Sequence, residues 1–210
     1  MQQEIWEAIA EQWKKFRTTL IVEVQGFLKN TDYYLDIGCG SGRNFVVNST
    51  VIGTDFSYNM LKHAKQFAKE KNVKAFLIKA DATALPIKDN LFEKIIIISV
   101  LHTLKKRKQC LQELRRVMSE KGKILLFVWN KDQPRFIFSK KEVTIPWNID
   151  GNIYPRYYYL YDSEEFEKEL HENNFDIISI KGSKEKAFNL FSRNIVAEVT
   201  KRGSPSGQWD

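Results

Sequence analysis

Seven residues, Asp36-Ile-Gly-Cys-Gly-Ser-Gly42, carry the densest chemical signal in the chain. Glycines let backbone approach a ligand closely, and the N–H groups of such a turn can meet polar ligand atoms. A dinucleotide fingerprint G-x-G-x-x-G would need a third glycine where Arg43 stands. No G-x-x-x-x-G-K-[ST] occurs, which disfavours a nucleoside triphosphatase. Two more acids follow at comparable places. Asp55 closes Val-Ile-Gly-Thr-Asp and can accept both hydroxyls of a ribose, while Asp81, in Lys79-Ala-Asp-Ala, can meet the exocyclic amine of an adenine. Aspartate is common at strand ends, so each acid alone says little. Three in register, after three successive strands, point together to an adenosine site at the carboxyl edge of an open sheet.

Such a sheet is what the surrounding pattern calls for. Short apolar runs alternate with helical stretches, the mark of parallel strands joined by crossover helices. Strands are expected at 33–37, 51–55, 73–78, 95–100 and 124–129, nearly all Val, Ile or Leu in the middle, as when helices cover both faces. Two later runs, 175–180 and 194–200, alternate more and suit edge or antiparallel strands. Helices are expected at 3–17, 18–29, 58–71, 106–118 and 163–174, with Ser57 as N-cap of the third, and a short helical stretch is expected after Gly42. Residues 130–160, with Pro134, Pro146, Pro155 and many aromatics, break the rhythm; an irregular segment of that length is usually functional or hides missed elements.

With 210 residues, 43% of them apolar, the chain can bury one core without staples. We expect a single domain over 1–202, with 131–160 as a substrate-side insert and 203–210 as a disordered or non-native tail. Two cysteines, Cys39 and Cys110, make a disulfide framework unexpected and suggest a reducing compartment. The longest apolar run, Ile95 to Leu101, is too short to cross a bilayer, and the N-terminus lacks a signal-peptide centre. A cytoplasmic protein is therefore expected, without a membrane. The net charge of +7 is unevenly spread: residues 101–145 hold twelve basic and four acidic groups, whereas 146–210 hold eight and eleven. A local excess of this kind suits an acidic partner such as nucleic acid.

The D-x-G-x-G-x-G, D-x-S and A-D-A-x-x-L-P set resembles the class I S-adenosylmethionine-dependent methyltransferases. The likeness continues through Leu85-Pro86, Asn90-Leu-Phe-Glu93 and Leu114-Arg-Arg-Val-Met-Ser-Glu-Lys-Gly122. It implies an α/β, Rossmann-like seven-stranded fold, here with two N-terminal helices and an insert after strand five, and S-adenosylmethionine as cofactor. The resemblance assigns Asp36, Gly38, Cys39, Gly40 and Gly42 to that cofactor, together with Asp55 and Phe56, Asp81 and Ala82, and Ser99.

Further segments resemble a narrower family, the tRNA wobble-uridine methyltransferases that esterify 5-carboxymethyluridine, also found fused to AlkB-like tRNA hydroxylases. They are Ile9-Ala-Glu-Gln-Trp-Lys-Lys-Phe-Arg17-Thr, Val100-Leu-His102, Val128-Trp129-Asn-Lys-Asp-Gln133, Val143-Thr-Ile-Pro146-Trp147 and Arg156-Tyr-Tyr-Tyr-Leu-Tyr161. The chain departs from the family at Thr103 and Tyr159, where that pattern carries histidines. A carboxylate acceptor is already ionised at pH 7 and needs no base, only alignment with the methyl carbon. Arg17 and Arg156 are the candidate clamp, since guanidinium binds carboxylate bidentately; each could also be a surface ion pair. His102 could orient the acceptor or be structural. Trp147, Tyr157 and Tyr158 could stack on a base or belong to the core. Lys105 and Arg107, on the rim after strand four, could contact phosphates. The resemblance implies tRNA as substrate and a small zinc-binding activator on the strand edge at Val73–Ile78; no metal site is expected in this chain. Two readings stay open beside it: a methyltransferase for a small-molecule metabolite, and a catalytically silent scaffold, against which the intact glycine motif argues.

Overall fold

The computed structural model describes residues 2–184, 186–187 and 191–203. Helices α1 (Gln2–Phe16) and α2 (Val22–Phe27) lead into β1 (Tyr33–Ile37), β2 (Thr50–Asp55), α3 (Tyr58–Glu70), β3 (Lys74–Lys79) and β4 (Phe92–Ile98). Then come α4 (Arg107–Val117), β5 (Met118–Trp129), β6 (Glu142–Ile149), β7 (Asn152–Tyr159), α5 (Ser163–Glu172) and β8 (Phe175–Gly182). Two short strands, β9 (Lys186–Ala187) and β10 (Phe191–Ser192), precede β11 (Asn194–Lys201). Seven strands make one sheet in the order β3-β2-β1-β4-β5-β11-β8. Strands β1 to β5 run parallel, and β11 runs antiparallel between β5 and β8. The α/β architecture expected from the alternating pattern is present, and the two later runs take the edge or antiparallel places expected of them: β8 is an edge strand and β11 runs antiparallel.

Strand β4 shows why this sequence makes a two-sided sheet. Successive residues point to opposite faces. Ile95 and Ile97 enter the core under α4 and α5, while Ile96 and Ile98 enter the one under α2 and α3. Each apolar side chain so buried contributes about 1.5–3 kcal/mol. Helix α4 meets its face with Cys110, Leu111, Leu114 and Val117, all fully buried. Two helix starts are fixed by side chains: Ser57 Oγ accepts from Met60 N at 3.1 Å and Asp162 Oδ1 from Glu165 N at 2.8 Å.

Four expectations need correction. The second helix is only Val22–Phe27, because Thr18, Thr19 and Ile21 are poor helix formers and Gly26 weakens its end. No helix follows Gly42; residues 43–49 are turns. Strand β5 begins at Met118, not 124, since Met118 pairs with Phe92 across a bulge and is buried despite its polar neighbours. Most important, the segment read as irregular contains an antiparallel hairpin of β6 and β7. Its turn, Asp150-Gly151, has φ of +49° and +85° at the two central residues, the pattern a tight two-residue hairpin requires. Pro146 and Pro155 argue against strands by type, yet they face each other, a pair that exchanges no ladder bond because neither has an N–H. The expected tail falls almost wholly outside the described residues; only Gly203 is within them.

Candidate active site

The parallel strands deliver their carboxyl ends to one edge, and the glycine loop leaves β1 there. Gly38 and Gly40 take φ of +67° and +55°, where a side chain is strained. The reasons for glycine differ at the two. A Cβ on Gly38 would lie 2.2 Å from Val100 Cγ2, whereas one on Gly40 would meet no protein atom within 4 Å. Gly38 therefore serves close packing of the loop on the end of β4, and Gly40 leaves space free beside the backbone. Asp55, at the end of β2, accepts from Gly40 N and Ser57 N, each at 2.9 Å, so it braces the loop as well as facing the cleft. Asp36 is 1% exposed, and neither carboxylate oxygen has a hydrogen-bond partner among the described residues. Burial, then the charge of Asp55, pushes its pKa up to about 8, with Arg43 opposing. Burial likewise raises Asp55 to about 6, against the N–H groups of Ser57 and Gly40 that favour its ionised form.

Helix α1 roofs this edge. Glu7 accepts from Ser57 Oγ, Tyr58 N and Asn59 N at 2.7–2.9 Å, capping the start of α3 from another element. Gln3 donates to Phe56 O, and Gln2 both donates to Pro155 O and accepts from Tyr157 N. The helix thus joins α3 to the hairpin across a cavity of about 820 Å³. Sequence reasoning missed this role, although Gln3 and Glu7 are one helical turn apart and share a face.

Of the expected cofactor residues, Gly38, Cys39, Gly40, Asp55, Phe56, Asp81, Ala82 and Ser99 line that cavity. Asp36 is buried and not among the lining residues, and Gly42 stands apart, where a Cβ would meet Phe45 at 2.9 Å. Asp81 is exposed and accepts from Thr83 N and Oγ1 at 2.8 Å. Lys105, Tyr157 and Arg17 also line the cavity.

The structure moves several expected substrate residues elsewhere. His102 is fully buried, stacked with Trp129 and Tyr158, and its Nδ1 accepts from Trp129 N at 3.2 Å. Burial lowers its pKa to about 3, so it is neutral and carries its proton on Nε2. It props the hairpin against β5 and does not face the cleft. Tyr158 is 1% exposed and stacks on Trp129 at 4.2 Å between centroids, which makes it core. Arg107 turns away to Tyr159, 3.7 Å from the ring centroid, and to Glu169 at 3.6 Å. Trp147 packs on Trp13 and Phe16 and borders a second pocket rather than the cleft. The basic stretch divides in the same way: Lys105 and Lys106 reach the cleft, but Arg116 is held by Glu113 and Asp89 and Lys141 by Glu165.

That second pocket, about 200 Å³, shares Trp13, Arg17, Arg43 and Ser99 with the cleft. Arg156 lines it, 5% exposed, donating to Tyr158 Oη at 2.7 Å with its guanidinium 4.7 Å from the Trp147 ring centroid. Arg135 and Arg193 complete five arginines, and among the described residues no Asp or Glu lines the pocket. Arg135 lies inside the basic stretch and could have been noticed there; Arg193 and Arg43 gave no signal as substrate residues.

The residues present fit S-adenosylmethionine. Asp36 is a buried acid whose oxygens accept no hydrogen bond among the described residues, suited to a cationic group. Asp55 suits vicinal hydroxyls, Gly40 gives open space, and Phe56, Met60 and Leu104 give apolar walls. Binding should therefore depend on pH. With its pKa pushed up to about 8, Asp36 is mostly protonated at pH 7, so holding a cation there expels that proton. Affinity should rise with pH from 6 to 8, the range below that value in which the proton must be displaced. Calorimetry in buffers of different ionisation enthalpy reads the proton count, and Asp36→Asn should abolish it; no proton release in the parent chain would contradict this role.

A family model described as a methyltransferase domain matches residues 35–126. A putative methyltransferase of Encephalitozoon cuniculi is 28% identical over 169 residues, covering 76% of this chain and 77% of that protein. A tRNA (carboxymethyluridine(34)-5-O)-methyltransferase of Macaca fascicularis is 31% identical over 138 residues, 62% of this chain but only 20% of that protein's length. A solved S-adenosylmethionine-dependent methyltransferase from Methanosarcina mazei superposes with a TM-score of 0.72 at 17% identity, covering 88% of this chain and 99% of that one. Among the described residues no helix is long and apolar enough to cross a membrane, and no group of acids, histidines or cysteines could hold a metal ion.

Proposed function

We propose that this chain, which is a class I S-adenosylmethionine-dependent methyltransferase, esterifies the carboxylate of 5-carboxymethyluridine at the wobble position of tRNA. The observation that carries the reading is the five-arginine pocket opening beside the cofactor cleft, with no acid lining it among the described residues. A site for a neutral metabolite has no use for such a lining. The likeness to a tRNA carboxymethyluridine methyltransferase supports the choice of anion.

When bound, the cofactor supplies an electrophilic methyl on a sulfonium. The chain's own part is positioning. Asp36, Asp55 and the glycine loop hold the donor's polar groups. Arg17, common to both cavities, and Arg156 behind it hold the acceptor carboxylate ionised and in line. Tyr157 lines the cleft and Trp147 the arginine pocket, each an aromatic face on which a base can stack, and α1 with the hairpin covers the cleft. No proton needs to move, so the neutral buried His102 is no loss to the chemistry.

Nucleoside mass spectrometry on tRNA bearing 5-carboxymethyluridine, with labelled methyl donor, tests the reading directly; label in a metabolite extract and none in tRNA would overturn it. Binding of tRNA should weaken at least about tenfold between 50 and 200 mM salt, through the counterions that phosphate contacts release. A flat response would count against nucleic acid.

The reading extends to a partner. Strand β3 is an outer edge of the sheet, and Phe76 on it is 55% exposed. An open, apolar edge is a template for an added strand, here from a small zinc-binding activator. Phe76→Asp should lower co-purification with such a protein without changing cofactor affinity; unchanged pairing would remove this edge from the reading.

A further inference from the structure

The smaller pocket holds more guanidinium than one carboxylate requires. Arg156 is buried, while Arg135 and Arg193 are exposed, so the positive lining runs from floor to mouth. Arg135 lies over aromatic rings, its guanidinium carbon 4.7 Å from the Trp129 centroid and 4.3 Å from that of Phe136. Stacking occupies the faces of a guanidinium and leaves its in-plane donors for an acceptor. Among the described residues those donors meet no protein acceptor, and no acid lines the pocket. Partial burial depresses the pKa of Arg135, and the neighbouring charges of Arg193 and Arg156 depress it further. Like charge from Arg193 and Arg156 beside Arg135 favours an anion at this mouth.

We propose that Arg135, with Arg193 at the same mouth, seats a backbone phosphate of the target nucleotide, an anion separate from the carboxylate that is methylated. This rests on the acceptor being a nucleotide. The pocket has room for such an anion, since about 200 Å³ is near seven times the roughly 30 Å³ that a water takes up in the liquid, enough for a phosphate with some of its hydration. A rigid, ring-backed arginine is a positioning device for such a group, because phosphate contacts set register while carrying no sequence information. With the phosphate fixed at the mouth and the carboxylate held at Arg17, the base between them has one orientation.

The test uses the full chain saturated with S-adenosylhomocysteine, titrated calorimetrically with uridine, uridine 5′-monophosphate and uridine 3′-monophosphate. One monophosphate should bind at least about tenfold tighter than uridine, and which one it is identifies the flank that is held. Arg135→Gln should remove most of that advantage, and Arg135→Lys should keep part of it. Unchanged affinity for S-adenosylhomocysteine in both variants shows that they are folded. Equal affinity for all three ligands, or an advantage that survives Arg135→Gln, overturns the phosphate seat. Methyl transfer to 5-carboxymethyluridine in tRNA is read separately, so failure of the carboxylate reading is distinguishable from failure of the seat.

Discussion

Gly40→Val is expected to lower the affinity for S-adenosylmethionine at least about a hundredfold, near 2.7 kcal/mol, while leaving a folded chain. The surroundings of the position are the reason. Gly40 lines the cavity, and an added Cβ would touch no protein atom within 4 Å, so a larger side chain collides chiefly with the ligand. The left-handed backbone at φ +55° adds about 1–2 kcal/mol of strain for an L-residue, a bearable fraction of an ordinary 5–15 kcal/mol stability. Gly38→Ala makes the contrast. Its Cβ would stand 2.2 Å from Val100 Cγ2, so this smaller change should lower the melting temperature more than Gly40→Val does. Calorimetric titration beside a thermal melt separates the two; a folded Gly40→Val chain with parental affinity would remove Gly40 from the cradle.

The second large effect is expected at the arginines. Arg17→Ala and Arg156→Ala should each reduce kcat/KM on carboxymethyluridine-bearing tRNA by about 30- to several-thousand-fold, the 2–5 kcal/mol typical of truncating one side of a buried charge pair. Cofactor affinity should stay at the parental level. Arg17 faces both cavities, so its loss should fall mainly on kcat, through misalignment. Arg156 also ties Tyr158 Oη and packs against Trp147, so its variant should be less stable too, and a melt must accompany the assay. Parental turnover in both variants would leave the carboxylate without a clamp and end that mechanism.

The sheet was legible because its signal is local and repeated: Ile95 to Ile98 reads as a strand buried on both faces, and that is what it is. The cofactor loop was legible for a related reason, since glycines and strand-end acids are placed by β1 and β2 themselves. The hairpin of 142–159 was not read, although Asp150-Gly151 lies between alternating residues, a strong hairpin signal. Two prolines outweighed it, and only pairing reveals that they oppose each other. Substrate residues were hardest. Tyr157 and Tyr158 are adjacent in one strand, so they point to opposite faces, and only the first reaches the cleft. Nothing in the order Arg-Tyr-Tyr says which is which. His102, chosen for its place after β4, is buried because Trp129 and Tyr158 close over it from strands far away in sequence. Five arginines meet in one pocket from just past α1, just past the glycine loop, the β5–β6 connection, β7 and the residue before β11, a convergence that no local pattern contains.

The ties made by Gln2, Gln3 and Glu7 have a bearing on time as well as shape. They fasten α1 at once to the start of α3 and to β7, so lifting the roof breaks them as a set. Exchange of spent for fresh donor through that side would require those ties to open. Such gating steps often limit turnover. The dwell time of the cofactor would be written into the first seven residues, side chains that take no part in the bond being made.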